Sequence, residues 1–461
     1  MEYQRLIACH ECDMLFRKPL HIEGRVATCS RCGASLAALQ GAGAALDRVC
    51  ALTLAALITF CIAQAFPVIG LRANGMTSEA TLWGAVRSLW TGNMGVVAIM
   101  VFCSSILFPL IELLALLYLL VPLRFSKRPP HFDTTLRVVQ LVRPWGMVEV
   151  FMLGVLVTIV KMVSMAEVIA GPGLFALAAL TVMLGILAAF DPRGLWAIGD
   201  ESKSARVTRL RWSSASRKRV CFATERAVKG DSSAAVSARR AGLVGCHACG
   251  LVQTGHQAEV TARCSRCASV LHQRRPDSLR RTVSLLLAAA IAYIPANLLP
   301  IMHASSLGRT EDDTILGGVA YFWTSGDWPL AVVVFVASVL VPVLKLLVLT
   351  LLALAAHRGS RWRARERARL YRIVERIGRW SMLDVFVVAL TVALVHFGSF
   401  AVVTAGPAAL AFAAVVVLTM LASHQFDPRL IWDHEDATQC LNRPTHDVAA
   451  AAPLITNNRN S

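Results

Sequence analysis

Eight of the thirteen cysteines stand in four C-x-x-C pairs. The pairs fall into two sets: Cys9, Cys12, Cys29 and Cys32, then Cys246, Cys249, Cys264 and Cys267. The sets read C-x2-C-x16-C-x2-C and C-x2-C-x14-C-x2-C. A C-x-x-C turn presents two sulfurs to one ion, and zinc takes four soft ligands in a tetrahedron. Two such knuckles joined by a short hairpin make a zinc ribbon, so each set is expected to hold one Zn ion. Four thiolates leave no coordination position for a substrate, which makes both sites structural rather than catalytic. The alternative chemistry for the same residues is that of redox dithiols. His10 and His247 sit inside two of the turns, in supporting rather than ligating places. Cys50, Cys61, Cys103, Cys221 and Cys440 belong to neither set.

A second group of reactive side chains lies inside long apolar runs. Across an internal repeat, Glu112 corresponds to Lys345, Glu149 to Asp384 and Lys161 to His396. A charge at membrane depth is costly and by default marks a functional or buried polar site. Lys345 and Asp384 are predicted to form an ion pair. The matching acids, Glu112 and Glu149, would share a proton, because two carboxylates in one site do not both ionise cheaply. From Asp384 a helix rises about 18 Å to His396, with Thr391 on the face of Asp384. His396 titrates near neutrality unless strongly shifted. These residues are candidates for a proton relay or a conformational switch. The plainer reading is polar glue between helices, or side chains reaching the membrane surface. Pro109 and Pro342 lie three residues before Glu112 and Lys345. A proline inside a helix frees a carbonyl and kinks the helix, so both are hinge candidates. No P-loop, Rossmann glycine pattern, nucleophile elbow or HExxH occurs, and the chain is not read as an enzyme.

The elements that must carry these groups are membrane spans. The 461 residues are 56% hydrophobic and only 16% charged, against about 25% charged in an average soluble domain. Apolar runs occupy about 49–66, 95–121, 145–166 and 173–190, then about 282–300, 329–355, 381–400 and 406–425. About 18 apolar residues cross a bilayer as a helix. The two quartets are copies. Phe66-Pro67 aligns with Leu299-Pro300, Thr81 with Thr314, Trp90-Thr91 with Trp323-Thr324 and Pro109 with Pro342, each 233 residues apart. Further on, Trp145–Phe151 matches Trp380–Phe386, Gly171-Pro172 matches Gly406-Pro407, and Phe190-Asp-Pro-Arg193 matches Phe426-Asp-Pro-Arg429. Four spans bring the chain back to the side it entered, so the copies run parallel, as in some transporters.

The expected fold class is therefore an all-α polytopic membrane protein. It has two parallel repeats of four transmembrane helices, each preceded by a small cytoplasmic zinc ribbon. The expected boundaries are ribbon 1 at 1–47, repeat 1 at 48–195, a basic linker at 196–241, ribbon 2 at 242–278, repeat 2 at 279–433 and a disordered tail at 434–461. Of the 46 Lys and Arg, 41 fall with the Cys modules and the termini, whereas the opposite loops hold Arg72, Arg87 and Arg309. The Lys- and Arg-rich side is the cytoplasmic one. That compartment is reducing and favours metal thiolates over disulfides. The net charge of +17 then reports cytoplasmic loops, and no nucleic-acid partner is read from it. The loops 67–93 and 301–327 face the other way. Thr81-Leu-Trp-Gly84 and Thr314-Ile-Leu-Gly317 mark short amphipathic elements there, with Trp83, Trp90, Trp323 and Trp328 as interfacial anchors.

Zinc ribbon plus four spans, repeated twice, resembles the paraquat-inducible protein A family. The residues that carry the resemblance are the four C-x-x-C pairs, the Phe-Pro and Leu-Pro span ends, the Trp145–Phe151 and Trp380–Phe386 segments and both Phe-Asp-Pro-Arg motifs. It covers about residues 5–195 and 240–433. The resemblance implies a protein of the inner membrane of Gram-negative bacteria that works with a periplasmic MCE-domain partner, with phospholipid as cargo. A membrane thiol-redox protein and a non-transporting scaffold or stress sensor are the alternatives.

Overall fold

The apolar runs fold as helices long enough to cross a membrane. Six such helices occur among the described residues: Leu46–Ala65, Gly95–Arg124, Phe132–Val160, Ser278–Leu298, Ala331–His357 and Pro407–Gln425. The structure is a computed structural model that describes residues 6–17, 27–36, 42–73, 76–92, 94–125, 127–163, 167–190, 192, 194–196, 236–254, 262–306, 309–326, 328–360, 363–378, 382, 385–387, 389–390, 396–397 and 401–433. On the first helix Leu54, Ile58 and Ile62 are exposed, and on the fourth Leu287, Ile291 and Ile294. Each set sits at helical spacing, one face of apolar side chains turned outward to lipid.

Eight runs were expected. The run at 173–190 forms Pro172–Ala188, an apolar helix of 17 residues that is shorter than the six. The run at 381–400 lies largely outside the described residues, as do most of the linker and the tail. Its far end departs from the expectation, because His396–Phe397 is a strand rather than helix.

The all-α expectation meets a further correction beyond the first helix of each half. Ile69–Ala73 and Met76–Ala80 form an antiparallel hairpin, and Glu167–Ala170 joins it as a third strand. In the second half the sheet order is Arg309–Asp313, Met302–Ser306, Ala401–Ala405 and His396–Phe397. Phe66-Pro67 and Leu299-Pro300 stop the helices, and the freed backbone groups satisfy one another across strands. The strands are five residues long or shorter, too short to show a clear alternation in sequence.

The Gly-Pro dipeptides mark where these sheets touch the next helix. The Gly171 N–H donates to the Val68 carbonyl at 3.2 Å, and the Gly406 N–H to the Ile301 carbonyl at 2.8 Å. A Cβ on Gly171 would lie 2.1 Å from the Pro67 oxygen, and one on Gly406 would lie 2.2 Å from the Pro300 oxygen. No side chain fits at either position. Gly406→Ala is expected to cost about 2 kcal/mol, read as a lower midpoint of thermal unfolding in detergent; an unchanged midpoint would contradict this account of the crossing.

The matched threonines cap matched helices. Thr81 accepts from the Gly84 N–H at 2.9 Å and starts Leu82–Thr91. Thr314 accepts from the Gly317 N–H at 3.0 Å and starts Ile315–Thr324. Each long second helix then carries one π-turn, Cys103–Leu107 and Val336–Leu340, directly before the turn that holds Pro109 or Pro342. Proline cannot donate to the preceding turn, and the wider ring absorbs that missing bond. Ser104 Oγ donates to the Met100 carbonyl at 2.8 Å, and Ser338 Oγ to the Val334 carbonyl at 2.6 Å. The halves share one hydrophobic core. At its centre two equivalent residues, Phe151 and Phe386, meet edge to face with ring centroids 5.3 Å apart, a favoured aromatic geometry.

Candidate functional site

All four knuckles are built alike. In each, the first cysteine's N–H bonds to the residue five positions on, and the residue after the second cysteine bonds back to the first cysteine's carbonyl. For Cys9 these bonds are 2.9 and 2.9 Å, for Cys29 2.7 and 2.8 Å, for Cys246 2.9 and 2.9 Å, and for Cys264 2.8 and 2.8 Å. The closing residue is left-handed every time: Asp13 at φ 63°, Gly33 at 76°, Gly250 at 72° and Ala268 at 56°. Alanine pays about 1 kcal/mol to hold that conformation. Ala268→Gly should therefore tighten its knuckle, and the variant should retain metal longer against a chelator than the parent chain; faster release would refute this.

The knuckles pair to make two clusters of four sulfurs. Cys9 Sγ lies 3.6 Å from Cys32 Sγ, and Cys12 Sγ 3.5 Å from Cys29 Sγ. The second cluster repeats the geometry, with Cys246 3.6 Å from Cys267 and Cys249 3.5 Å from Cys264. Within each cluster all sulfurs lie within 4.8 Å of one another, and all eight residues are buried and free of disulfides. A metal–sulfur bond of about 2.3 Å requires sulfurs at about this separation, so the donor set fits a tetrahedral ion. A bound ion would be held by these four thiolates and would tie the two knuckles together. His10 and His247 are not members of either cluster.

The modules dock crosswise. The first module precedes the first half, yet its cysteines pack with Leu349, Ala368, Tyr371 and Trp432 of the second half. The second module packs on Leu116, Leu119, Leu136 and Trp196 of the first half. Two equivalent arginines hold the modules there. Arg137, on Phe132–Val142, donates to the Cys267 carbonyl. Arg372, on Ala364–Ile377, donates to the Cys32 carbonyl at 2.5 Å and pairs with Glu11 at 3.3 Å. Gln140 adds a bond to the Ala248 carbonyl at 2.9 Å. Arg429 of the second Phe-Asp-Pro-Arg motif donates to the His10 carbonyl at 3.2 Å, and Arg31 stacks over Trp432 at 4.6 Å.

The modules also join each other. The Leu15 N–H bonds to the Val236 carbonyl at 3.0 Å, and the Ala238 N–H to the Asp13 carbonyl at 2.8 Å. Residues 236–241, expected to belong to the linker, are thus part of this contact. Arg274 pairs with Asp13 at 3.0 Å and with Asp433. Burial pushes the Glu11 carboxyl up to about 7, against the pull of Arg372. Burial also raises Asp13, opposed by Arg429 and Arg274. His247 is lowered to about 4, first by burial and then by Arg429, and so stays neutral near pH 7.

In the spans the structure places some of the candidate ionisable residues. Glu112 is buried, and its carboxylate meets Arg143 Nε at 3.4 Å. Arg143, which sequence reasoning did not single out, also donates to the Phe190 carbonyl at 2.7 Å and to the Leu187 carbonyl. Glu149 is exposed at the start of Val148–Val163. Lys345 is 2% exposed. Its amine lies where a Gly378 side chain would begin, 2.8 Å from a Cβ built there, and Glu375 supplies a nearby negative charge. Gly378 is the repeat equivalent of Arg143. The two halves therefore fill one pocket oppositely, with an acid on the second helix and a base beyond it in the first, and a base on the second helix and a glycine beyond it in the second. Lys161 lies in helix and His396 in strand. Asp384 and Thr391 fall outside the described residues. Trp145 stacks on His424 at 6.1 Å across the halves.

The crosswise contacts left one trace in the sequence: Arg137 and Arg372 are 235 residues apart, the offset of the Trp145 and Trp380 segments. Nothing local says that either arginine reaches a carbonyl of a distant module.

No solved structure matches this chain. The chain is 32% identical over 439 residues to a protein of Escherichia coli K12 named intermembrane transport protein PqiA, covering 94% of this chain and 97% of that protein. It is also 32% identical to a second protein of that strain, named lipophilic envelope-spanning tunnel protein A, covering 94% of this chain and 92% of that one. A Haemophilus influenzae protein named probable intermembrane transport protein is 29% identical, over 93% and 96% of the two chains. The model of the family described as paraquat-inducible protein A matches residues 46–199 and 279–436. The duplicated helices, the paired knuckles and a match over most of the residues lead to one conclusion: the chain belongs to the paraquat-inducible protein A family.

Proposed function

We propose that this chain is the inner-membrane subunit of an intermembrane phospholipid transport system that works with a periplasmic MCE-domain protein. In this reading eight helices cross the membrane in two parallel quartets. Both Cys modules bind zinc, and they and both termini lie on the cytoplasmic side. The names of the relatives, intermembrane transport and envelope-spanning tunnel, support the class of function. The observation that carries the reading is the matched pair of buried charged sites, Glu112 with Arg143 and Lys345 beside Gly378. Each lies one turn beyond a π-turn and proline, where a helix bends most cheaply. Lys345, Asp384, Thr391 and His396 in one half, and Glu112, Glu149 and Lys161 in the other, would move protons as the helices bend at Pro109 and Pro342. The thiol-redox alternative needs an accessible dithiol, whereas all eight clustered cysteines are buried.

The test is transfer of a fluorescent phospholipid between donor and acceptor vesicles by the purified chain with its MCE partner. Lys345→Ala and Asp384→Asn should each abolish transfer while the protein still elutes as a folded species. Full transfer in both variants would remove the relay, and failure of the two proteins to co-purify would remove the partner.

A further inference from the structure

A cleft of about 460 Å³ opens between Leu82–Thr91 and Gly95–Phe102, lined by Trp83, Arg87, Trp90, Ile99 and Phe102 among others. It lies next to the hairpin of the first half, one span removed from the Cys modules. Trp83, Arg87 and Trp90 occupy positions i, i+4 and i+7 of one helix, so they share a face. The opposite face, Leu82, Ala85 and Leu89, is buried in the protein. Trp83 meets Phe102 edge to face at 6.0 Å, which closes one wall. Both tryptophans are more than half exposed, and no carboxylate pairs with Arg87 among the described residues.

Two further observations set Arg87 apart. It is one of three cations in the loops opposite the Lys- and Arg-rich side, against 41 on that side, so the usual placement of charge does not account for it. The repeat offers an internal control as well. The second half carries Phe335 for Phe102 and Trp323 for Trp90, but Leu316 for Trp83 and Ala320 for Arg87. A membrane anchor would serve both halves alike. The guanidinium and the second aromatic wall belong to one half only.

We propose that this cleft binds one phospholipid, with its phosphodiester on Arg87 and an acyl chain along Trp83, Ile99 and Phe102. The chemistry argues for lipid rather than free phosphate, because a single arginine at the rim of an otherwise apolar wall suits an amphiphile: the planar fork holds phosphate oxygens while the rings cover hydrocarbon. The site rests on the proposed phospholipid transport and names where cargo is engaged on the far side of the membrane. It uses neither the buried charges nor the metal modules.

The test uses the full chain in nanodiscs of phosphatidylethanolamine and phosphatidylglycerol, with radiolabelled phosphatidylglycerol as the probe. Benzoylphenylalanine is placed at Trp83 in one protein and at the equivalent Leu316 in another, and photo-crosslinked label is counted. Position 316 reports bulk lipid contact. Label at position 83 should exceed that at 316 about tenfold, the scale of one charge-assisted contact. Arg87→Gln should bring it down to the level of 316, Arg87→Lys should restore part of it, and radiolabelled diacylglycerol, which lacks the phosphate, should show no excess. Equal label at the two positions, or an excess that survives Arg87→Gln, overturns the site. Vesicle transfer is measured in parallel. Normal crosslinking with no transfer by the unmodified chain would overturn the transport reading and leave the site standing; normal transfer without crosslinking excess would do the reverse.

Discussion

Cys12→Ser is expected to loosen the half of the chain that the first Cys module does not precede. Its sulfur is one of four within 4.8 Å of one another. The zinc proposed for this cluster would contribute on the order of 10 kcal/mol to its module's folding. Without it the two knuckles lose their tie, and the Cys32 carbonyl and Glu11 no longer hold Arg372. Metal content should fall from two ions per chain to one. Backbone hydrogen exchange should rise in Ala364–Ile377, while Phe132–Val142 keeps its protection. Cys249→Ser should give the mirror pattern, because Arg137 and Gln140 read the second module. Exchange that rises in the helices next in sequence to the damaged module would contradict crosswise docking.

The second large effect concerns the pocket that the halves fill oppositely. Lys345→Glu puts a carboxylate into a buried site that already feels Glu375. A buried charge left without its partner costs about 4 kcal/mol. Gly378→Arg alone should also destabilise, since even its Cβ would lie 2.8 Å from the Lys345 amine. The double variant rebuilds what the first half holds, an acid on the second helix facing an arginine as Glu112 faces Arg143 at 3.4 Å. It should recover most of the loss, with a coupling of about 3 kcal/mol in a double-mutant cycle, measured by thermal unfolding in detergent. Simple addition of the two losses would show that the halves do not share this pocket.

The sequence announced the clusters, the repeat and the capped helices because each is encoded locally. A C-x-x-C turn needs only neighbouring residues, and so does the Thr-x-x-Gly start of Leu82–Thr91 and Ile315–Thr324. The prolines were legible for the same reason, although the π-turns ahead of them were not, since the wider ring follows from packing in the whole span. The surroundings of Glu112 were legible in part: spacing pointed to Glu149, whose charge bears on it, but not to Arg143, which reaches the carboxylate from a one-turn helix before the third span. The short strands escaped because their pairing joins segments such as Ile69–Ala73 and Glu167–Ala170, far apart in the chain. The docking of modules on the wrong half escaped for that reason in its strongest form: Arg372 and Cys32 are separated by 340 residues.

Crosswise docking also says something about ancestry and assembly. Had each half once been a free polypeptide, its knuckle would have found a seat on a sister molecule, and two copies would have interlocked by reciprocal exchange. Joining them end to end would have kept the exchange and made it permanent. Each half seats the Cys module that precedes the other, so shortening the chain to a single half would leave one empty seat and one homeless knuckle.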